Sequence, residues 1–481
     1  MNKPDNKELI FIPLPSGIGN VIPMVETAKT LANHHRSLSI TVLITTLTSI
    51  SVPELAAYTE NLFAAASEPS QRIKFIDLSK QDGYDSSAET DPGMLESLFI
   101  ETQKPLVRSV VAELTRSTQV VGFVVDMFCT AMMDVADEFG VPSYVYYASG
   151  AAYLGLLFHF QALRDENGVD PTEFANDSVT EFSVPSFLQS VPATSLPEVL
   201  VLKDWAPLLL DHTKRTREAK GIIVNSFTEL ESHALKALST DSKIPPFYPV
   251  GPVVRFSSLC GTTEFADVSK WLDAQPLSSV VFLCFGSMGS FREAQLKEIA
   301  CALDHSGVRF LWSLRKSPPD TCSNPRDFLP SEFFDRTVER GKVTGWVPQP
   351  NVLAHPAIGG FVSHCGWNSI LESIWFGVPV ATWPVYSEQH LNAFQLVKEL
   401  GLAVEIKLDY KSYFYRELSD EECVVRGEVI EGGIRCLMEQ GSEIRKRVKD
   451  LSEKSKMAIL KGGSSYSFMD SFINDVIENC T

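Results

Sequence analysis

WVPQPNVLAHPAIGGFVSHCGWNSILESIWFGVPVATWPVYSEQ, residues 346–389, is the stretch whose reading decides the fold. Within it AIGGFVSHC (357–365) is a short apolar run ending at Gly366, the pattern of a buried parallel strand. WNSILESIWFG (367–377) predicts a helix: Asn368 and Ser369 fall in its first turn, Ile370, Leu371 and Ile374 make an apolar face, and Gly377 closes it. A strand that runs through a glycine into a helix aims unpaired N–H groups and the positive end of the helix dipole at the loop between them, where anions bind. His364 and the side chains of Asn368 and Ser369 add hydrogen-bond donors there, so a diphosphate fits without Lys or Arg. Glu372 lies one turn beyond Asn368 on the same face, with two oxygens for the two hydroxyls of a ribose. Trp346 offers a flat face for a base and Gln349 a polar edge.

The segment closely resembles the signature box of plant secondary-product UDP-glycosyltransferases. It begins with Trp, ends with Gln and spans 389 − 346 + 1 = 44 residues, with HCGWNS (364–369), Glu372 and Glu388-Gln389 at the box's positions. The resemblance implies that Trp346 stacks on uracil while the Val347 backbone and Gln349 bind its edge. It places Glu372 on the ribose, His364, Asn368 and Ser369 on the diphosphate, and Trp367, Glu388 and Gln389 on the sugar. Ser287, in FGSMGS, matches a family position near the phosphates. A terminal Gln in the box implies UDP-glucose as co-substrate, with no further cofactor.

The remainder of the chain is compatible with such an enzyme. A length of 481 residues suggests two or three domains, and 44% hydrophobic with 21% charged residues is ordinary for a soluble globular protein. A formal net charge of −18 argues against nucleic acid and acidic membranes as partners. Nine irregularly spaced Cys, none as CxxC, read as reduced thiols of a cytoplasmic protein. No metal site is expected: Cys365 has no second Cys or His at ligand spacing, and there is no D-x-D. The polar N-terminus is expected to lead straight into a strand, and no signal peptide is expected. Gly140 to Leu163 carries no charge and is long enough to span a bilayer, but Pro142, His159 and Gln161 interrupt it, and it reads as a strand (SYVYY) followed by a core helix.

In chain order, ELIFIPLP (8–15) is a first strand, followed by the loop SGIGN (16–20) and a helix from about Val21 to Ala32. SITVLITT (39–46), IKFIDLS (73–79), a helical stretch from Glu96 to Leu114 and the strand GFVVDMFC (122–129) follow. Residues 165–200 are loop-like and polar, and GIIVNSF (221–227) looks like the last strand of the first half. The Pro-dense KIPPFYPVGP (243–252) is the best boundary. SVVFLCFGS, FLWSLR, KVTGWV, GGFVSHC, PVATWP and AVEIKL continue as strands, and the segments 316–330 and 408–422 read as insertions. Alternating strands and helices predict an α/β fold of two doubly wound, parallel-sheet, Rossmann-like domains facing across a cleft. The resemblance makes it GT-B-like. The expected division is an acceptor-binding domain at 1–250, a UDP-sugar-binding domain at 251–460, and a C-terminal helix at 461–481 packing back on the first domain. The expected partners are a small-molecule acceptor and the UDP-sugar, bound by a monomer.

One residue departs from the family pattern. There the loop after the first strand reads GxGH, and its His takes the acceptor's proton while an Asp on a later strand orients the ring. Asp126 matches that Asp, but the loop here reads Gly17-Ile18-Gly19-Asn20. An amide accepts no proton near neutral pH, and loss of a general base typically costs about 10²–10⁴ in rate, roughly 3–5 kcal/mol of barrier. Three readings compete. The chain is a variant inactivated so that substrates can be trapped, or it serves acceptors already ionised, such as carboxylates and acidic phenols, or Asp126 is the base, directly or through a water. At the end of a strand, Asp126 also reads as a plain helix cap.

Among other residues, His34, His35 and His212 read as solvated and His159 as a core residue, while His390, just past the box, has room to approach the sugar but is not assigned to it. Phe128, Tyr153 and Phe158 suit a flat acceptor as well as they suit core packing. The function expected is inverting transfer of glucose from UDP-glucose to a hydroxyl or carboxylate of a small hydrophobic plant metabolite, phenolic in kind. The alternatives are a UDP-sugar binder without turnover and a dinucleotide oxidoreductase. The second leaves the 44-residue box unexplained and has no acidic residue closing a βαβ fingerprint after the glycine loop.

Overall fold

The computed structural model describes residues 7–35, 38–47, 53–65, 72–78, 92–255, 263–314, 329–410, 412 and 424–478. The first sheet contains β1 (Lys7–Ile12), β2 (Leu38–Ile44), β3 (Ile73–Asp77), β4 (Gln119–Asp126), β5 (Ser143–Tyr147), β8 (Gly221–Val224) and β9 (Phe247–Pro249). The strands lie in the order β3-β2-β1-β4-β5-β8-β9, and every pair is parallel. Between them, β6 (Glu181–Phe182) and β7 (Val191–Pro192) form a separate antiparallel ribbon. The second sheet is also parallel: β10 (Val280–Cys284), β11 (Arg309–Ser313), β12 (Gly341–Thr344), β13 (Ile358–Ser363), β14 (Val380–Thr382) and β15 (Ala403–Glu405) run in the order β12-β11-β10-β13-β14-β15.

Both sheets are buried on both faces, because parallel strands need helical crossovers that cover each side. In β1, Leu9 and Phe11 join one core with Tyr144, Tyr146 and Tyr248, while Ile10 and Ile12 join another with Phe123 and Val125. The strand order reverses between β1 and β4 in the first sheet and between β10 and β13 in the second. Crevices open at the carboxyl ends of strands at such reversals. Asp126 ends β4, the SGIGN loop follows β1, and His364 follows β13, so the fold itself brings the candidate residues to two switch points.

The structure corrects several local readings. GIIVNSF is not the last strand of the first half, because β9 lies inside the Pro-dense stretch and pairs with β8. An edge strand needs its N–H groups on one side only, so it tolerates Pro249. The first helix begins at Ile18, inside the supposed loop, and the helix expected from Glu96 begins at Pro92. His34 bonds Asp470 at 2.7 Å, and His212 bonds Thr130 at 2.8 Å with its Nε2 buried, so neither is a free solvated side chain. Gly140 to Leu163 is indeed strand and helix, and no described helix is long and apolar enough to cross a membrane. The two insertion segments fall mostly outside the described residues.

Three features tie the halves together. The helix Ser464–Glu478 lays Met469, Phe472, Ile473 and Val476 into the core beneath Tyr144 and Tyr248, and Asp475 accepts a hydrogen bond from the Tyr144 hydroxyl at 3.0 Å. The 165–200 segment reaches the second half, where Glu198 N donates to Ser387 O at 3.0 Å and Gln189 Nε2 donates to Lys398 O at 2.7 Å. Deepest is Glu231, whose carboxylate is buried and accepts from Ala151 N, Ala152 N, the Ser226 hydroxyl and Gln395 Nε2. Two of those donors are orphan N–H groups at the start of the helix Ala151–Asn167, where negative charge is favoured. Glu231→Ala strands all four donors in a dry interior. It is expected to cost about 3 kcal/mol of stability, read as a lower urea midpoint with the secondary structure unchanged by circular dichroism.

Candidate active site

At the end of β13 the chain turns through His364, Cys365 and Gly366 and enters the helix Trp367–Phe376. Gly366 holds the N-cap with φ −61° and ψ 140° and offers no capping side chain. The first intrahelical bond is from Ile370 N to Gly366 O at 3.1 Å, so the N–H groups of residues 367–369 have no acceptor within the helix. Cys365 adopts φ +64°, a conformation costing a β-carbon-bearing residue about 1–2 kcal/mol. Asn392 Nδ2 bonds its carbonyl at 3.0 Å and its own N–H bonds the Ser363 hydroxyl at 3.1 Å, which hold the turn in place. Cys365 is therefore a buried hinge of the turn. Among the described residues, no group of three or more His, Cys, Asp or Glu is placed to hold a metal ion.

The imidazole of His364 lies between two glycines: a β-carbon on Gly286 or Gly366 would fall 2.5 or 2.7 Å from Nε2. Burial pushes its pKa down to about 4, so the ring is neutral at physiological pH. Ser287 lies exposed in the loop after β10. Gln349 Nε2 donates to the Ser369 hydroxyl at 2.9 Å and to Glu372 Oε2 at 2.6 Å, so the three side chains form one polar row along the helix. Burial raises Glu372 to about 7, with the Gln349 bond opposing the rise. Trp346 is 36% exposed, and Val347 beside it is buried.

The last residues of the stretch are engaged locally. Gln389 Oε1 accepts from the N–H groups of Val385 and Tyr386, both at 3.0 Å, and so braces the loop that carries Glu388. Glu388 accepts from the Ser387 hydroxyl at 2.7 Å and from Ser149 of the first half at 3.5 Å. His390 points into the second half and donates from Nε2 to Tyr410 O at 2.6 Å. The Trp367 indole is buried between the halves: its Nε1 donates to Asn225 O at 2.7 Å, and a β-carbon on Gly150 would come within 2.8 Å of its ring. Its side chain is a wedge, while its backbone N–H stays at the helix start.

Facing this helix start is that of Ile18–His34. Asn368 Nδ2 donates to Gly19 O at 2.7 Å, and Asn225 Nδ2 reaches Asn368 Oδ1 at 3.5 Å. Asn20, in the first turn, donates from Nδ2 to Asp126 Oδ2 at 3.2 Å, and Phe128 N donates to Asp126 Oδ1 at 3.0 Å. Asp126 is 0% exposed, and burial raises its pKa to about 6 against both hydrogen bonds. A carboxylate so enclosed, with each oxygen occupied, does not meet an acceptor directly. Tyr153 and Phe158 are buried in the first core, whereas Phe128 stays partly open.

Sequence reasoning missed Asn225, which joins Trp367 to Asn368, and Glu96, whose carboxylate accepts a hydrogen bond from the Ser16 hydroxyl beside the Asn20 loop. For Glu96 the one available signal was a lone charge beside Leu95, Phe99 and Ile100 on the packed side of its helix.

Against known proteins, residues 260–414 match the family model described as UDP-glucoronosyl and UDP-glucosyl transferase. UDP-glucose flavonoid 3-O-glucosyltransferase 6 of Fragaria ananassa is 49% identical, over 98% of each chain. Anthocyanidin 3-O-glucosyltransferase 1 of Manihot esculenta is 50% identical, over 96% of this chain and all of its own. Among solved structures, a Medicago truncatula glycosyltransferase complexed with UDP-glucose superposes with a TM-score of 0.85 at 40% identity, covering 98% of both chains. A Siraitia grosvenorii transferase in complex with UDP gives 0.84 at 42% identity, over 98% of this chain and all of that one. The expected two-sheet GT-B architecture is thus shared with crystallised relatives. Fold, box and near full-length identity agree: the chain belongs to the plant UDP-glycosyltransferases and is a UDP-glucose-dependent transferase.

Proposed function

We propose that this enzyme moves glucose, with inversion, from UDP-glucose to a hydroxyl of a plant phenolic of the flavonoid or anthocyanidin kind. Residues 251–460 hold the sugar donor, residues 1–250 hold the acceptor, and the C-terminal helix fastens one to the other. The observation that carries the reading is the uncapped start of helix Trp367–Phe376, with neutral His364 beside it, tied by Asn368 to the helix turn that bears Asn20. Two of the relatives bear names for 3-O-glucosyl transfer to flavonoids and anthocyanidins, which favours turnover over binding alone. We further read the chain as a monomer in the cytoplasm, on its scattered free thiols.

In this reading uracil stacks on the open face of Trp346, with the Val347 backbone and Gln349 along its edge. Glu372 accepts the ribose hydroxyls. The diphosphate sits on the N–H groups of residues 367–369 with the Asn368, Ser369 and Ser287 side chains and His364. A neutral ring donates a hydrogen bond there without the cost of burying its own charge. As the bond from the anomeric carbon to UDP breaks, the negative charge grows where these fixed dipoles already point, so little reorganisation is needed. Glu388 and Gln389 border the sugar, and Trp367 with Asn225 fixes the distance between sugar and acceptor. Asp126 holds Asn20 in place.

The direct test is release of UDP from UDP-glucose with and without a flavonol. Acceptor-dependent release with a matching glucoside is expected, and binding of UDP-glucose without any transfer would overturn the reading. Trp346→Ala should raise KM for UDP-glucose about tenfold, since stacking on a base is worth about 1–3 kcal/mol, with kcat within about threefold. Glu372 is neutral below its raised pKa of about 7 and ionised above it, and the ionised form accepts the ribose hydroxyls better. Calorimetric affinity for UDP-glucose, which does not itself titrate there, should tighten from pH 6 to pH 8, and Glu372→Gln should flatten that dependence.

A further inference from the structure

The loop after β1 and the first turn of helix Ile18–His34 present two polar side chains near two carboxylates. Asn20 bonds Asp126, and Ser16, four positions earlier, bonds Glu96 from the helix Pro92–Leu114. Asp126 is closed to solvent with both oxygens occupied. Ser16, Asn20 and Glu96 are all partly open. Of these groups, the Ser16–Glu96 pair and the Asn20 amide are the ones left partly open beside this turn, and the Asp126 carboxylate is closed.

We propose that the Ser16–Glu96 pair takes the acceptor's proton in this chain, the task that the family gives to a His at the position of Asn20. The inference rests on the transfer reaction proposed above. The acceptor O–H bond breaks and its proton passes to Ser16 Oγ, while the proton of Ser16 passes to Glu96. The electron pair left on the acceptor oxygen forms the bond to the anomeric carbon, and the pair of the breaking C–O bond leaves with UDP. Ser16 is restored, and Glu96 returns its proton to solvent. Asn20 holds the acceptor oxygen and keeps Asp126 where it is.

The electrostatics suit the task. Burial pushes Glu96 up to about 7, the Ser16 bond opposing the rise and the charge on Asp126 adding to it. Glu96 in turn acts, with Asp126, on the buried Cys129 thiol, and the groups that act on Glu96 are the Ser16 hydroxyl and Asp126. Burial and the neighbouring Asp126 charge thus bring the basicity of Glu96 toward neutral pH, where a general base works best.

The test compares phenolic acceptors of graded acidity with UDP-glucose. Glu96→Gln should lower kcat/KM about 10²–10³-fold for a weakly acidic phenol, with the loss shrinking steadily as the acceptor becomes acidic enough to arrive ionised. The KM for UDP-glucose should hold. Asn20→His added to Glu96→Gln should restore the rate, because it sets an imidazole against Asp126. An unchanged rate for Glu96→Gln on the weakly acidic phenol, or an equal loss across the series, would overturn the inference while leaving glucosyl transfer standing. Should Glu96→Gln not fold, the unaltered enzyme decides. With UDP-glucose saturating at every pH and a phenol that ionises above pH 9, kcat/KM for the phenol should fall below about pH 7 and level off above it, whereas a climb continuing to the phenol's own ionisation would refute a protein base. Absence of transfer to every acceptor would instead overturn the proposed function itself.

Discussion

The interaction on which the rest of this structure depends is the one between two helix beginnings, one from each sheet, held face to face. The start of Trp367–Phe376 has no side-chain cap, and Asn368 in its first turn bonds the carbonyl of Gly19 in the first turn of Ile18–His34. Unsatisfied N–H groups at a helix start are complementary to an anion, and the uncapped start here leaves those of residues 367–369 without an acceptor in the helix. Everything around them serves position. Cys365 holds a left-handed turn, Asn392 ties that turn to the next helix, and the Trp367 indole sets the gap through Asn225.

The charges of the site are arranged with little cation. His364 is kept neutral by burial, and the two helix starts supply positive potential through dipoles that need no counter-ion. Carboxylates follow a complementary logic. Glu231 is deeply buried and satisfied by four donors, and it fastens the halves together. Asp126 is enclosed and bonded twice, while Glu96 and Glu372 stay partly open with pKa values near 7. Carboxylates whose surroundings set them apart in this way are suited to different jobs.

The absence of a histidine at position 20 takes on another meaning with the structure in hand. The sequence offered an inactivated variant, pre-ionised acceptors, or Asp126 as the base. The enclosure of Asp126 removes its direct use, and the nearby Ser16–Glu96 contact supplies a route that none of the three contained.

How much was legible follows from the range of each interaction. The strand–glycine–helix run at 357–377 is local: its apolar spacing and its glycines dictate the elements, and the family's box fixes their use. The alternation of strands and helices dictated two doubly wound sheets. β9 escaped notice because Pro249 reads as a breaker, and only an edge position beside β8 makes it tolerable. Glu96 and Ser16 stand 80 residues apart, Glu231 and Gln395 164, and Asn225 and Trp367 142. No local pattern marks such pairs, since the two members of each lie in segments far apart in the chain. The sequence by itself determined which residues form the glycine turn and the helix start after β13, because turns and helix starts are written in a few consecutive side chains. Which carboxylates are closed, which stay open, and what the indole of Trp367 touches were decided only when the chain folded, because burial and long-range contact exist only once distant segments meet.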